Sequence, residues 1–121
     1  MNPIGKQAED QATEYLQRKG YKIYYRNYRF GRFEVDIVCE YHGQIIIVEV
    51  KSLTSIRIRK PYESVSKRKQ RRIVKVADHL LNEHFSDSEC RFDIISILFK
   101  KEEVKIVHIT DAFVPEITIS N

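Results

Sequence analysis

Residues 33–51 constrain what this chain can fold into more than any other stretch. Phe33 to Tyr41 alternates, which assigns Phe33, Val35, Ile37 and Cys39 to one face and Glu34, Asp36, Val38 and Glu40 to the other. Gln44 to Lys51 follows almost at once and is apolar on both faces until Glu49. A strand of that kind belongs at the centre of a sheet covered on both sides. His42-Gly43 sits where a tight hairpin needs its turn. The commonest two-residue turn requires a positive φ of both residues, natural for Gly43 and less so for His42.

The remaining segments supply the cover. Ile4, Ala8, Ala12, Tyr15 and Leu16 recur at helical spacing between Ile4 and Lys19, and Gly20 provides the stop. Tyr21 to Tyr28 reads as a first, aromatic strand, and Gly31 permits a turn. Residues 52–64 form a basic loop containing Pro61. A long helix is then predicted from Val65 to Glu83, with Ile73, Val76, Ala77, Leu80 and Leu81 as its apolar stripe. Arg91 to Phe99 and Val104 to Ile109 are two further strands joined by a charged turn, and the tail from about residue 110, with Pro115, reads as extended. No repeat or linker interrupts the pattern, so residues 1–121 are read as one domain. The order αβββαββ predicts an α/β sandwich around a mixed sheet.

Composition narrows the function classes. The chain is 42% hydrophobic and 31% charged, as expected of a globular protein. Its longest strongly apolar run, Ile45 to Val48, is far too short to span a bilayer, and no signal peptide is readable. A cytoplasmic protein without a membrane partner is the expectation. Cys39 and Cys90 are expected to be reduced thiols of no special role. His42, His79, His84 and His108 lack zinc-ligand spacing and are assigned to turns or the surface. A net charge of +4 favours a polyanionic partner only mildly.

The hairpin itself points to chemistry. With residues 42 and 43 as its loop, Asp36 faces Glu49 and Glu34 faces Lys51, all on one side of the sheet. Opposed residues sit roughly 4.5–5.5 Å apart at Cβ. An ion pair accounts for Glu34 and Lys51, whereas two half-buried carboxylates repel. A shared proton, a cation or a bound metal must offset that repulsion. The alternative is an exposed ion-pair patch satisfied by Lys51 and solvent. An acidic pair in register with a lysine, after a wholly apolar strand, weighs towards a site. Glu9 lies two helical turns before Leu16, at the margin of the core face, and pattern alone has it snorkelling outward.

Basic residues gather at Arg57, Arg59 and Lys60 and again at Lys67, Arg68, Lys69, Arg71 and Arg72. Lys67, Arg71 and Lys75 lie off the apolar stripe, where they either meet phosphates or form a solvated helix face. Tyr24, Tyr25 and Tyr28 can stack on bases, although strand aromatics are usually core.

Taken in order, the motifs resemble the YraN family along nearly the whole chain. They are Gly5-Lys-Gln-Ala-Glu9 with Ala12 and Tyr15-Leu16, Gly20-Tyr21, Arg26-Asn27, Glu34-Val-Asp36 and Val48-Glu49-Val50-Lys51. Pro61 with Glu63, Val65 and Lys67, then Arg91-Phe92-Asp93 and Asp111-Ala-Phe113, complete the set. The family is grouped with restriction-endonuclease-like folds and regarded as a distant relative of archaeal Holliday-junction resolvases. The resemblance implies a three-layer sandwich in which Asp36, Glu49 and Lys51 match the D…ExK nuclease signature. It also implies that Glu9 matches the resolvases' N-terminal helix acid, that the Val50 carbonyl reaches the metal, and that Glu34 is a further site acid. Phe33, Leu53 and Ala8 depart from the family's usual residues at their positions, none of them a proposed metal ligand.

The expected activity is therefore hydrolysis of DNA phosphodiesters, with branched or otherwise structured DNA as the candidate substrate and Mg²⁺, replaceable by Mn²⁺, as cofactor. Asp36 and Glu49 would hold the ion, Lys51 would assist the nucleophile, and Glu9 would complete the coordination or position water. Lys67, Arg68 and Arg71 are the candidates for gripping the backbone. Resolvase relatives work in pairs, which brings in a homodimer as a candidate state. Two rivals stand beside this reading: a nucleic-acid-binding protein of the same fold that does not cut, and an interaction protein whose acids form ordinary ion pairs.

Overall fold

The computed structural model describes residues 3–53 and 65–114. The predicted basic loop, with Arg57, Arg59, Lys60 and Pro61, and the tail from residue 115 lie outside the described residues. The elements run α1 (Pro3–Arg18), β1 (Lys22–Phe30), β2 (Phe33–Tyr41), β3 (Gln44–Leu53), α2 (Lys67–His84), β4 (Cys90–Phe99) and β5 (Val104–Ile109). The strands form one five-stranded mixed sheet in sequence order, parallel only between β3 and β4.

One helix covers each face. Ala8, Ala12 and Leu16 of α1 pack with Ile37, Cys39, Ile46, Val48, Ile95 and Ile97. Ile73, Val76, Ala77 and Leu80 of α2 pack with Val35, Val38, Ile45, Ile47, Phe92 and Ile94. Adjacent β3 residues thus alternate between two separate cores, which is why residues 45–48 had to be apolar without a break. Ile4 is 47% exposed, so the α1 stripe begins a turn later than its spacing suggests. Tyr24, Tyr25 and Tyr28 pack against the α2-side core, as strand aromatics usually do.

Local chemistry fixes the ends. Gly20, at φ +94°, closes α1 with Gly20 N–H donating to the Gln17 carbonyl and Tyr21 N–H to that of Leu16. The Ser66 hydroxyl caps α2 by accepting from Lys69 N–H at 3.1 Å. His42 and Gly43 take φ of +51° and +78°, so both halves of the hairpin turn are left-handed. That turn sets the expected register, with Tyr41 opposite Gln44 and Ile37 opposite Val48.

The alternation expected across the whole of β2 does not hold. Val35 and Val38 share the α2 side, while Ile37 and Cys39 face α1. Strand β1 makes the same change opposite, where Tyr25 and Tyr28 share the α2 side. The step falls at Asn27 and Asp36. Asn27 adopts φ +55°, a left-handed conformation that asparagine tolerates better than most residues. Both strands therefore exchange faces at one level of the sheet, and the β2–β3 pairing ends beside it at Ile37 and Val48.

Candidate functional site

Beyond Ile37 and Val48 the two strands part, and Asp36 bridges the gap with its side chain. Its Oδ2 accepts a hydrogen bond from Val50 N–H at 2.8 Å. Asp36 thus takes over a main-chain bond that β2 no longer supplies to β3. Glu49 is 5% exposed and faces α2, on the side of Ile45 and Ile47. Burial, and then the charge of Glu49, push the Asp36 carboxyl up to about 7; the charge of Glu9 adds to this. The two acids of the sequence motif lie near enough for the charge of Glu49 to act on Asp36, although the strands around them have stopped pairing.

Two lysines share the gap. Lys69 Nζ lies 2.5 Å from Glu49 Oε1. Burial alone would lower the Lys69 ammonium, but Glu49, and Asp36 behind it, hold it above the ordinary lysine range. Lys51 moves the other way, lowered by burial and then by the positive charge of Lys69. The two amines are thus shifted in opposite directions, Lys69 held charged by the acids and Lys51 giving up its proton more readily than an ordinary lysine.

Glu34 does not join them. It stands opposite Arg29 on β1 and ion-pairs with it at 3.0 Å, so the expected partnership with Lys51 is corrected. Hairpin pairing cannot extend past a level where β2 has changed faces. Glu9 is corrected too: it is 3% exposed rather than snorkelling. Its Oε1 accepts from Arg26 Nε at 3.0 Å and from Asn27 Nδ2 at 2.9 Å. Arg26 is shared with Asp10 at 2.7 Å, so α1 clamps β1 where the strand changes faces. Of the three basic candidates, Lys67 is exposed at the start of α2, and Arg68 and Arg71 line a groove beside it.

The sequence reading passed over Lys69, Ser96 and Asn27 as members of this cluster. Lys69 precedes Ile73 by four residues and so falls on the apolar stripe of α2, where a lysine is out of place. Ser96 is a lone hydroxyl in an apolar strand, 1% exposed, opposite Lys51 in the parallel register. Among the described residues its Oγ has no hydrogen-bond partner, and neither has the buried Oδ1 of Asn27. Such orphaned groups mark where water or a ligand is wanted.

These donors suit a hard cation. Among the described residues no three His, Cys, Asp or Glu side chains gather closely enough to form a metal cluster alone. Magnesium does not need that, since it commonly takes one or two carboxylates and keeps several waters. Asp36, Glu49 and the Val50 carbonyl supply that oxygen chemistry.

A second buried acid lies on the α1 side of the sheet. Asp93 is 1% exposed and accepts two bonds from Arg91 at 2.8 Å, one from His108 Nε2 at 2.7 Å and one from Asp111 N–H at 3.0 Å. The network extends from Arg91 to the Tyr21 hydroxyl and from His108 Nδ1 to the Tyr15 hydroxyl, both at 3.0 Å. Burial opposes ionisation, but His108, Arg91 and the Asp111 amide together hold Asp93 below its usual range. His108 is therefore an interior network member, not the turn or surface residue expected. Both cysteines are free thiols, pushed up to about 12 mainly by burial, which makes them poor nucleophiles. Among the described residues no helix is long and apolar enough to cross a membrane.

Comparison with known proteins agrees with the motifs. A protein from Phocaeicola vulgatus named UPF0102 protein is 40% identical over 116 residues, 96% of each chain. Another from Chlorobium phaeobacteroides is 42% identical over 120 residues, 93% of this chain and 94% of its own. One from Persephonella marina is 44% identical over 110 residues, 90% of this chain and 91% of its own. Among solved structures, Pyrococcus furiosus SfsA in complex with Ca²⁺ aligns at 15% identity and a TM-score of 0.37. That alignment covers 85% of this chain and 62% of SfsA. Residues 8–97 match the model described as uncharacterised protein family UPF0102. With the motifs, the relatives and the family model in agreement along most of its length, the chain belongs to UPF0102, the YraN family.

Proposed function

We propose that this protein is a magnesium-dependent nuclease of the restriction-endonuclease-like class that hydrolyses DNA phosphodiesters. The observation that carries the proposal is the proximity of Asp36 and Glu49 at the strand fork, with Lys69 paired to Glu49 and Lys51 beside Lys69. A structural ion-pair patch needs no second carboxylate beside a buried aspartate already raised to about 7, whereas a metal-assisted hydrolytic site uses such a pair.

Asp36 and Glu49, with the Val50 carbonyl, would hold the ion, and Mn²⁺ would substitute. Bound there, the metal supplies Lewis acidity at the phosphate and lowers the pKa of water. Lys51 accepts or positions the proton of the attacking water. Lys69, paired with Glu49 in the absence of an ion, would have its charge available to the phosphate oxygens once Glu49 held one. Glu9 acts through Asn27 and Arg26, holding the fork open at the right level. Ser96 offers a hydroxyl to a water beside Lys51.

The rival reading, binding without cutting, draws on the 2.5 Å pair between Lys69 and Glu49, which already neutralises one of the two acids. Incubating the protein with four-way, nicked and single-stranded DNA in Mg²⁺, Mn²⁺ or EDTA separates the two. The nuclease reading expects metal-dependent cleavage of at least one substrate. Cleavage should fall on the order of 100-fold or more in Asp36→Asn and in Glu49→Gln. Cleavage that survives both substitutions, or none on any substrate in either metal, defeats it.

A further inference from the structure

Five cations gather where the β1–β2 turn approaches α2, none of them in an ion pair among the described residues. Arg32, Arg68, Arg71, Arg72 and Lys75, with Phe33, line a groove of about 560 Å³. All five side chains belong to exposed residues, and none makes an ion pair among the described residues. Helix α2 has no acidic residue in its first turn, so its dipole adds to the positive field. Five like charges on one wall repel one another, and a polyanion removes that cost.

The groove is ordered as well as charged. The Arg32 and Arg72 guanidinium carbons lie 5.9 and 5.4 Å from the centre of the Phe33 ring. Phe33 is itself packed against the α2-side core. A ring fixed in the core thus holds two planar forks that suit phosphate oxygens. The groove also leads somewhere. Its inner continuation, about 390 Å³, shares Arg32, Phe33, Arg68 and Arg72 and reaches Lys69, the partner of Glu49.

We infer that this groove is the track for a DNA backbone, with Arg32 and Arg72 as its principal phosphate ligands and the Glu49 end as its exit to the strand fork. The inference rests on the nucleic-acid reading of the site and is independent of whether the site cuts. Five phosphate contacts at about 0.9 ions each give a slope of about −4.5 for log affinity against log salt.

The test is fluorescence anisotropy of labelled duplex DNA across a salt series in EDTA, which prevents cutting. Replacing Arg32→Gln and Arg72→Gln together should weaken binding roughly tenfold and make the slope shallower by about 1.8. Replacing Lys101→Gln and Lys105→Gln removes the same charge near the β4–β5 turn and should leave affinity and slope near those of the parent. Arg68→Gln with Arg71→Gln must repeat the loss, and serves alone should the first pair fail to fold by circular dichroism. Parent-like binding by a folded groove variant, an equal loss in the control pair, no DNA binding by the parent, or a preference for RNA of the same sequence overturns the inference. Absence of cleavage in Mg²⁺ and Mn²⁺, with the groove variants still losing affinity, removes the nuclease reading and leaves the groove standing.

Discussion

Two buried aspartates on neighbouring levels of one sheet have been treated in opposite ways. Asp93 accepts four hydrogen bonds from three partners and is held ionised. Asp36 accepts a backbone bond from Val50 N–H, has a second acid nearby, and is pushed up to about 7 by burial and that neighbour. Burial alone would raise both. What separates them is the company each keeps: a guanidinium and an imidazole around Asp93, a carboxylate and shared lysines around Asp36. A satisfied buried acid contributes to holding the fold together. An unsatisfied one costs stability and remains chemically available.

The largest expected effect breaks the satisfied member. Asp93→Asn strips the counter-charge from Arg91, whose side chain is only 18% exposed, and from His108. Removing one partner of such a buried pair costs about 3–5 kcal/mol, to be read as a lower urea midpoint with an unchanged slope. A change below about 1 kcal/mol would mean that the network is ornamental.

The contrasting substitution, Asp36→Asn, should do the reverse at neutral pH. The folded Asp36 binds its proton more tightly than the unfolded one, so the parent loses stability as pH rises from about 4 to about 7. The loss stays complete above that range. Its upper bound is about 4 kcal/mol, which solvent screening reduces. The variant should therefore melt higher than the parent at pH 8 and show no advantage at pH 4. Asp93 carries the opposite sign: its contribution is present above the unfolded carboxyl value and vanishes as pH falls through its depressed folded value. Melting temperature against pH in the two variants should diverge on opposite sides of pH 4. Parallel curves would erase the distinction.

The smallest effect sharpens the role of Lys69. Lys69→Met leaves Glu49 beside Asp36 without its cation and should cost about 1–2 kcal/mol in EDTA. If the fork takes a divalent ion, Mn²⁺ should then raise the melting temperature more in the variant than in the parent, because no ammonium has to be displaced. Equal Mn²⁺ shifts would show that Lys69 and the ion do not compete.

Much of this was legible beforehand for physical reasons. The unbroken apolar run of residues 45–48 could satisfy two helices only from the centre of a sheet, and His42-Gly43 fixed the register of residues 37–48. The face exchange was not legible, because it depends on one asparagine entering the left-handed region in the middle of a strand. Counting along the hairpin therefore placed Glu34 against Lys51, when it meets Arg29. Glu9 and His108 were misassigned for a related reason: their partners lie 17 and 15 residues away, and no local period reveals them. Lys69 and Ser96 did leave a trace, each being the polar residue in an apolar pattern.

The exchange of faces at Asn27 and Asp36 also divides the sheet mechanically. Below that level β2 is gripped by neighbours on both edges, while above it β1 and β2 continue as a two-stranded arm ending at Gly31 and Arg32. That arm forms one side of a jaw whose other side is α2, with Phe33 as the point of closure. The root of the arm therefore lies beside the acids, next to the place where Asp36 spans to Val50.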